Sequence, residues 1–136
     1  MKITFMGAGS TIFAKNVIGD TMLCEALWDA EIALYDINAQ RLEDSRLMLE
    51  TMNRTLNMGR AKIIGYLGEE QRKDALRNAD FVINAINVGG YEPCTVIDFD
   101  IPKKYGLRQT IGDTLGIGGI FRAMRTIPAV EAFAED

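Results

Sequence analysis

Histidine does not occur anywhere in the 136 residues. Within this chain, its absence removes a Ser-His-Asp triad and a histidine general base. With only two cysteines as well, a zinc site built from His and Cys is excluded. Cys24 and Cys94 stand far apart with no paired spacing, so no disulfide framework is expected, and two reduced thiols point to the cytoplasm. Nor is there an excess of positive charge: 15 Lys and Arg face 19 Asp and Glu, a net charge of −4. Without a basic stripe, neither nucleic acid nor an anionic membrane is expected as a partner. No apolar run approaches the length of a membrane span, and the short one behind Met1-Lys2 falls short of a signal peptide's apolar region. Repeats, low-complexity tracts and linkers are also missing. What remains is a chain of ordinary globular composition, 48% hydrophobic and 25% charged, whose length suits one domain spanning 1–136.

The pattern along the chain alternates strand and helix. Lys2–Met6 reads as a buried strand, followed by helical apolar spacing from Ser10 to about Leu27. Ile12, Phe13, Val17, Met22 and Leu23 form that helix's apolar set, with Ser10 or Thr11 as its cap. Residues 31–35 form a second strand ending at Asp36. Ala39 to about Leu56 reads as a long helix with Leu42, Leu47, Leu49, Met52 and Leu56 available for burial. Arg41, Glu43, Asp44 and Arg46 make its solvated side. Lys62–Tyr66 is a third strand, Glu69–Asn78 a polar helix, and Phe81–Ile86 a fourth strand, apolar except for Asn84, as a buried parallel strand would be. This alternation predicts βαβ units, hence an α/β fold of the Rossmann-like, doubly wound type with a parallel sheet in strand order 3-2-1-4. Beyond it come a loop at Asn87–Pro93, a helical piece from Thr95 to Tyr105 disturbed by Pro102, a glycine-rich stretch from Gly112 to Gly119, and a last helix from near Ile120.

Chemistry concentrates in the turn Gly7-Ala8-Gly9-Ser10-Thr11. In a dinucleotide fold, the first glycine permits a tight strand-to-helix turn and the second lets a pyrophosphate approach the backbone. The helix N-terminus behind them offers N–H groups and partial positive charge to phosphates. Gly7 and Gly9 suit those roles. Ile12 stands where a third glycine is usual, so the helix is expected slightly further from the sheet. Asp36, at the end of the second strand, is placed to accept the hydroxyls of an adenosine ribose and favours NAD over NADP. The glycine turn alone would equally describe an ordinary strand–helix junction, and Asp36 a helix cap, although Asn38 is better placed to cap. Arg122 and Arg125, three apart on the last helix, share a face and could clamp an anionic or polyhydroxy ligand or pair with carboxylates. The Gly116–Gly119 run could face a ligand or form a lid.

Five segments in order carry a resemblance: Gly-Ala-Gly-Ser-Thr-Ile-Phe, Ala-Leu-Tyr-Asp-Ile, Ala-Asp-Phe-Val-Ile-Asn, Val-Gly-Gly-Tyr-Glu-Pro-Cys-Thr, and Asp-Thr-Leu-Gly-Ile-Gly-Gly-Ile-Phe-Arg-Ala-Met-Arg-Thr-Ile-Pro. Over nearly its whole length the chain resembles the N-terminal part of glycoside hydrolase family 4, nearest the α-galactosidase branch; Val88–Pro128 is the specific part. The resemblance implies NAD and Mn²⁺ as cofactors and glycoside cleavage by C3 oxidation, C2 deprotonation and elimination, without net redox change. It implies Gly7, Gly9, Ser10 and Thr11 at the pyrophosphate, Asp36 at the ribose, and Asn87, Gly89 and Gly90 near the nicotinamide and sugar. Asp113 and Thr114 would border the substrate. Phospho-sugar members place an arginine where Asn87 stands, so the implied substrate is an unphosphorylated small glycoside. The family's metal ligands and catalytic acid and base lie downstream of Asp136, so no catalytic or metal-ligating residue is expected here. The chain is read as a truncated fragment of a longer enzyme, inactive alone. It is expected to be a homo-oligomer in its parent form, and its fourth strand is left at an open sheet edge. Two alternatives remain at this point: half of a lactate- or malate-type dehydrogenase, or a non-enzymatic nucleotide-sensing module.

Overall fold

A computed structural model of the chain describes residues 1–109 and 116–136. They form two compact units, one of Met1–Ile86 with Asp136 and one of Asn87–Glu135. In the first unit the order is β1 (Lys2–Met6), α1 (Thr11–Leu23), a 3₁₀ turn (Glu25–Leu27), β2 (Glu31–Asp36), α2 (Ala39–Leu56), β3 (Lys62–Leu67), α3 (Gly68–Leu76) and β4 (Phe81–Asn84). The four strands make one parallel sheet in the order β3-β2-β1-β4, as the alternation predicts.

Strand side chains alternate between faces, and that alternation assigns the layers. Ile3 and Phe5 of β1 and their register partners Ile32 and Leu34 of β2 join one core with Ala14, Ile18 and Met22 of α1 and Leu42 and Leu49 of α2. Thr4, between Ile3 and Phe5, points the other way and donates its hydroxyl to the Ala75 carbonyl of α3 at 2.8 Å. Helices therefore cover both faces, the doubly wound arrangement.

Two helix faces differ from the sequence expectation. In α1 the buried residues are Ala14, Ile18, Gly19 and Met22, while Ile12 is 76% exposed and Leu23 63%. Small residues let α1 lie close to its neighbours: a Cβ on Gly19 would stand 2.8 Å from the Met52 side chain. Phe13 is also exposed but keeps a tilted ring contact with Phe5, centroids 5.9 Å apart. In α2 the buried stripe is Leu42, Ser45, Leu49 and Asn53, at helical spacing, and Leu47 and Leu56 fall off it into solvent. Two polar residues displace the leucines because each has a buried carbonyl to serve: Ala8 for Ser45 at 2.7 Å and Ala61 for Asn53 at 2.7 Å. Arg41, Glu43 and Asp44 are exposed as expected, and Arg46 forms ion pairs with Glu43 and Glu50.

The fourth strand is also not buried as expected. Among the described residues it pairs with β1 alone, leaving Phe81 58% and Val82 49% exposed at the sheet's outer edge, where the open edge was expected. In the second unit, a wide turn over Gly90–Thr95 leads into α4 (Val96–Lys104), and α5 spans Ile117–Glu135, starting earlier than expected.

The corrected α1 face gives a direct comparison. Ile18→Ala should cost about 2–4 kcal/mol of stability by urea denaturation, whereas Ile12→Ala, a solvent-facing change, should stay within about 0.5 kcal/mol. Equal costs would restore the face read from apolar spacing.

Candidate functional site

The turn after β1 is held almost entirely by the end of β2. Gly7 takes φ +86°, a conformation open to glycine, and a Cβ there would also stand 2.8 Å from the Ala85 carbonyl oxygen. The N–H groups of Gly7 and Ala8 both donate to the Tyr35 carbonyl at 2.9 Å, and Ser10 N–H closes the turn on Gly7 O at 3.0 Å. Gly9 N–H donates to Asp36 Oδ2 at 2.6 Å. From α2, Ser45 donates its hydroxyl to Ala8 O. Gly9 has no room for a side chain: a Cβ would lie 2.7 Å from Asp36 Oδ2 and 2.8 Å from Arg41 Cβ.

Asp36 thus has a role the sequence did not disclose. Oδ2 accepts Gly9 N–H, and Oδ1 accepts Asn38 N–H at 2.9 Å. Of roughly four lone-pair positions on a carboxylate, about two stay available to a ligand hydroxyl. The cap of α2 is Asn38, whose Oδ1 accepts Arg41 N–H at 3.0 Å.

Neither Ser10 nor Thr11 caps α1 as expected. Ser10 occupies the N-cap position without a side-chain cap hydrogen bond among the described residues, and the Thr11 hydroxyl turns back to Gly9 O at 3.4 Å. The first turn of α1 holds no acidic residue. Its N–H groups and the helix dipole are therefore set up for an anion. Ile12, in the third-glycine position, points into solvent, so it does not hold the helix off the sheet.

In the second unit, Asn87, Gly89 and Gly90 share one tight loop. Gly89 and Gly90 have φ +85° and +66°, and Gly90 N–H donates to Asn87 O at 3.1 Å. The arginines expected as a ligand clamp are engaged internally. Arg125 grips Asp98 through both terminal nitrogens at 2.9 and 2.5 Å and donates Nε–H to Val88 O at 2.9 Å. Arg122 donates to the Thr95 hydroxyl at 2.8 Å and approaches Asp98 at 3.7 Å. Asp98 is only 6% exposed, and the hydrogen bond from Arg125 holds its carboxyl below the usual carboxylate range. The only sequence signal for Asp98 was an acid embedded in Val96–Ile101. Gly118 is buried in the first turn of α5 with its N–H on Gln109 Oε1 at 3.2 Å, a close-packing glycine. Asp113 and Thr114 lie outside the described residues. No group of three or more His, Cys, Asp or Glu that could hold a metal occurs among the described residues, and no helix among them is long and apolar enough to cross a membrane. A cavity of about 540 Å³ opens at the opposite end of the strands, lined by Lys2, Glu31, Asp74, Arg77 and Asp80 among others. Of its lining, Lys2 is already engaged, with Nζ on the Asp74 and Arg77 carbonyls.

A parallel 3-2-1-4 sheet with a glycine turn closed on the acid of the second strand defines a Rossmann-like domain. Comparison with known proteins goes further. The model of the "Family 4 glycosyl hydrolase" matches residues 2–136, and the chain belongs to that family. It is 62% identical over 135 residues to an alpha-galactosidase of Bacillus subtilis (strain 168), covering 99% of this chain and 30% of that protein. It is 35% identical over 134 residues to an alpha-glucosidase of Erwinia rhapontici, covering 95% and 28%. Among solved structures, the 6-phospho-beta glucosidase of Thermotoga maritima with NAD and glucose-6-phosphate matches with a TM-score of 0.79 at 27% identity, covering 99% of this chain and 31% of that one. The same enzyme with manganese, NAD⁺ and glucose-6-phosphate matches with a TM-score of 0.78 at 28% identity, covering 99% and 30%. The chain spans less than a third of the length of these relatives. Family membership sets aside the dehydrogenase alternative.

The Asp98–Arg125 pair carries a pH signature. A carboxyl whose folded pKa is depressed stabilises the fold fully above its unfolded pKa and loses that contribution as acid titrates it. Asp98→Asn should therefore cost about 3 kcal/mol near neutral pH, the scale for breaking a buried pair. The gap to the parent should shrink as pH falls below about 4. Thermal unfolding across that range reads it, and a constant gap would contradict the assignment.

Proposed function

We propose that residues 1–136 are the NAD-binding portion of a family 4 glycoside hydrolase acting as an α-galactosidase on unphosphorylated small glycosides. The observation that carries the cofactor reading is the Gly9 N–H bond to Asp36 at 2.6 Å, which sets a side-chain-free backbone beside a carboxylate with acceptor capacity left. The side-chain-free backbone at Gly9 and the uncapped, acid-free N-terminus of α1 fit a pyrophosphate. Gly7, Gly9, Ser10 and Thr11 would cradle it, Asp36 would accept ribose hydroxyls, and its negative charge would disfavour a 2′-phosphate. Asn87, Gly89 and Gly90 are proposed for the nicotinamide end, and Asp113 and Thr114 for the border of the substrate. When bound, NAD supplies reversible oxidation at the sugar's C3, which acidifies the C2 proton. The chain's own residues bind and orient; the metal ligands and the acid and base belong to sequence beyond this chain, and Mn²⁺ has no candidate ligand cluster among the described residues.

The sugar assignment draws on the 62% identity to an alpha-galactosidase, and the unphosphorylated substrate on the neutral Asn87. Two free cysteines suit a cytoplasmic setting. Self-association of the full-length protein is also proposed. No observation favours the nucleotide-sensing module.

Calorimetric titration with NAD and NADP tests the cofactor reading. The parent chain should prefer NAD. Asp36→Ala should weaken NAD about tenfold or more, the scale of losing charge-assisted hydrogen bonds, and narrow the gap to NADP. Unchanged NAD affinity in the variant would sink the reading. Manganese-dependent galactoside cleavage by the full-length protein tests the activity.

A further inference from the structure

The second glycine loop poses a physical problem that the first does not. Two successive glycines at positive φ have wide conformational freedom, and ordering them costs more entropy than ordering other residues. The first turn is fixed by backbone bonds to β2. In the loop from Asn87 to Cys94, Gly90 N–H closes the bend on Asn87 O, and the chain then enters the wide turn over Gly90–Thr95. Side chains of α5 add to these bonds. Arg125 donates Nε–H to Val88 O, and Arg122 holds the Thr95 hydroxyl, which itself donates to Gly90 O at 3.1 Å. Both arginines turn about one pivot, the buried Asp98 of α4, whose two oxygens fix the plane of the Arg125 guanidinium. Bidentate pairing of this kind sets direction as well as energy. Opposite it, Cys94 packs so closely on Gly89 that no Cβ could be accommodated there.

We propose that Arg125 is a positioning residue for the Gly89–Gly90 loop: anchored on Asp98, it fixes the Val88 carbonyl and so presets the loop before a ligand arrives. Its value for cofactor binding rests on the reading above, in which Asn87, Gly89 and Gly90 serve the nicotinamide end. Lysine in its place keeps the charge but lacks the planar fork needed to hold Asp98 and Val88 together.

The test compares the parent chain with Arg125→Lys and Asp98→Asn by amide hydrogen exchange and by titration with NAD and with ADP-ribose, which lacks the nicotinamide. Exchange at Gly89 and Gly90 should quicken about tenfold in both variants, while amides of β1 and α1 keep their rates. NAD should bind about tenfold more weakly, the scale of a lost charge-assisted contact, and ADP-ribose as before. Unchanged exchange at the two glycines would overturn the proposal. So would NAD and ADP-ribose weakening together, the mark of a general loss of structure. A parent chain that binds neither nucleotide would defeat the cofactor reading instead, and the exchange result would still decide whether Arg125 positions the loop.

Discussion

The first unit depends on how the chain satisfies its backbone where β1 gives way to α1. Three consecutive N–H groups leave the sheet there with no ladder partner, and burial makes an unpaired one costly. The end of β2 takes all three: Tyr35 O accepts Gly7 and Ala8, and Asp36 accepts Gly9. This contact locks β1 to β2 at the C-terminal end of the sheet and sets where α1 begins. It also leaves Gly9 bare-backboned beside a carboxylate. The same bond that closes the fold therefore shapes the candidate cofactor site, so the Asp36 side chain is structural before it is functional.

Buried polar side chains repeat this logic across the unit. Thr4, Ser45, Asn53 and Asn57 are each nearly inaccessible, and each donates to a carbonyl at a point where regular structure stops: Ala75, Ala8, Ala61 and Trp28. They tie helices to turns that apolar contact alone would leave free to slide, since the hydrophobic effect has no direction. Asn53 also accepts Ala61 N–H and Asn57 Nδ2–H, so one side chain organises the whole exit from α2.

The two glycine segments are held by different means. Around Gly7 and Gly9 the restraint is backbone and short side chains on neighbouring strands and helices. Around Gly89 and Gly90, long arginines on α5, gathered on one buried carboxylate, add to the bonds of the turn itself. A pair of guanidiniums against a single Asp leaves surplus positive charge, which helps keep Asp98 ionised and the anchor intact over the ordinary pH range.

The strand order, the parallel pairing, the long α2 and the Gly7, Gly9 and Asp36 set were all legible from alternation and spacing, because these are local patterns with a fixed period or a required turn residue. Which face of α1 is buried was not: Ile12 and Ile18 are chemically identical, and only packing against the sheet and Met52 chooses between them. Nor was the stripe of α2 that prefers Ser45 and Asn53 to Leu47 and Leu56, because the carbonyls they serve come from distant turns. The double role of Asp36 and the internal pairing of Arg122 and Arg125 with Asp98 were hidden for the same reason. Sequence by itself determined the elements, their order and the residue types able to cradle a phosphate. Tertiary structure alone decided which donors meet which acceptors, since that depends on contacts between residues far apart in the chain, and burial makes each such pairing obligatory.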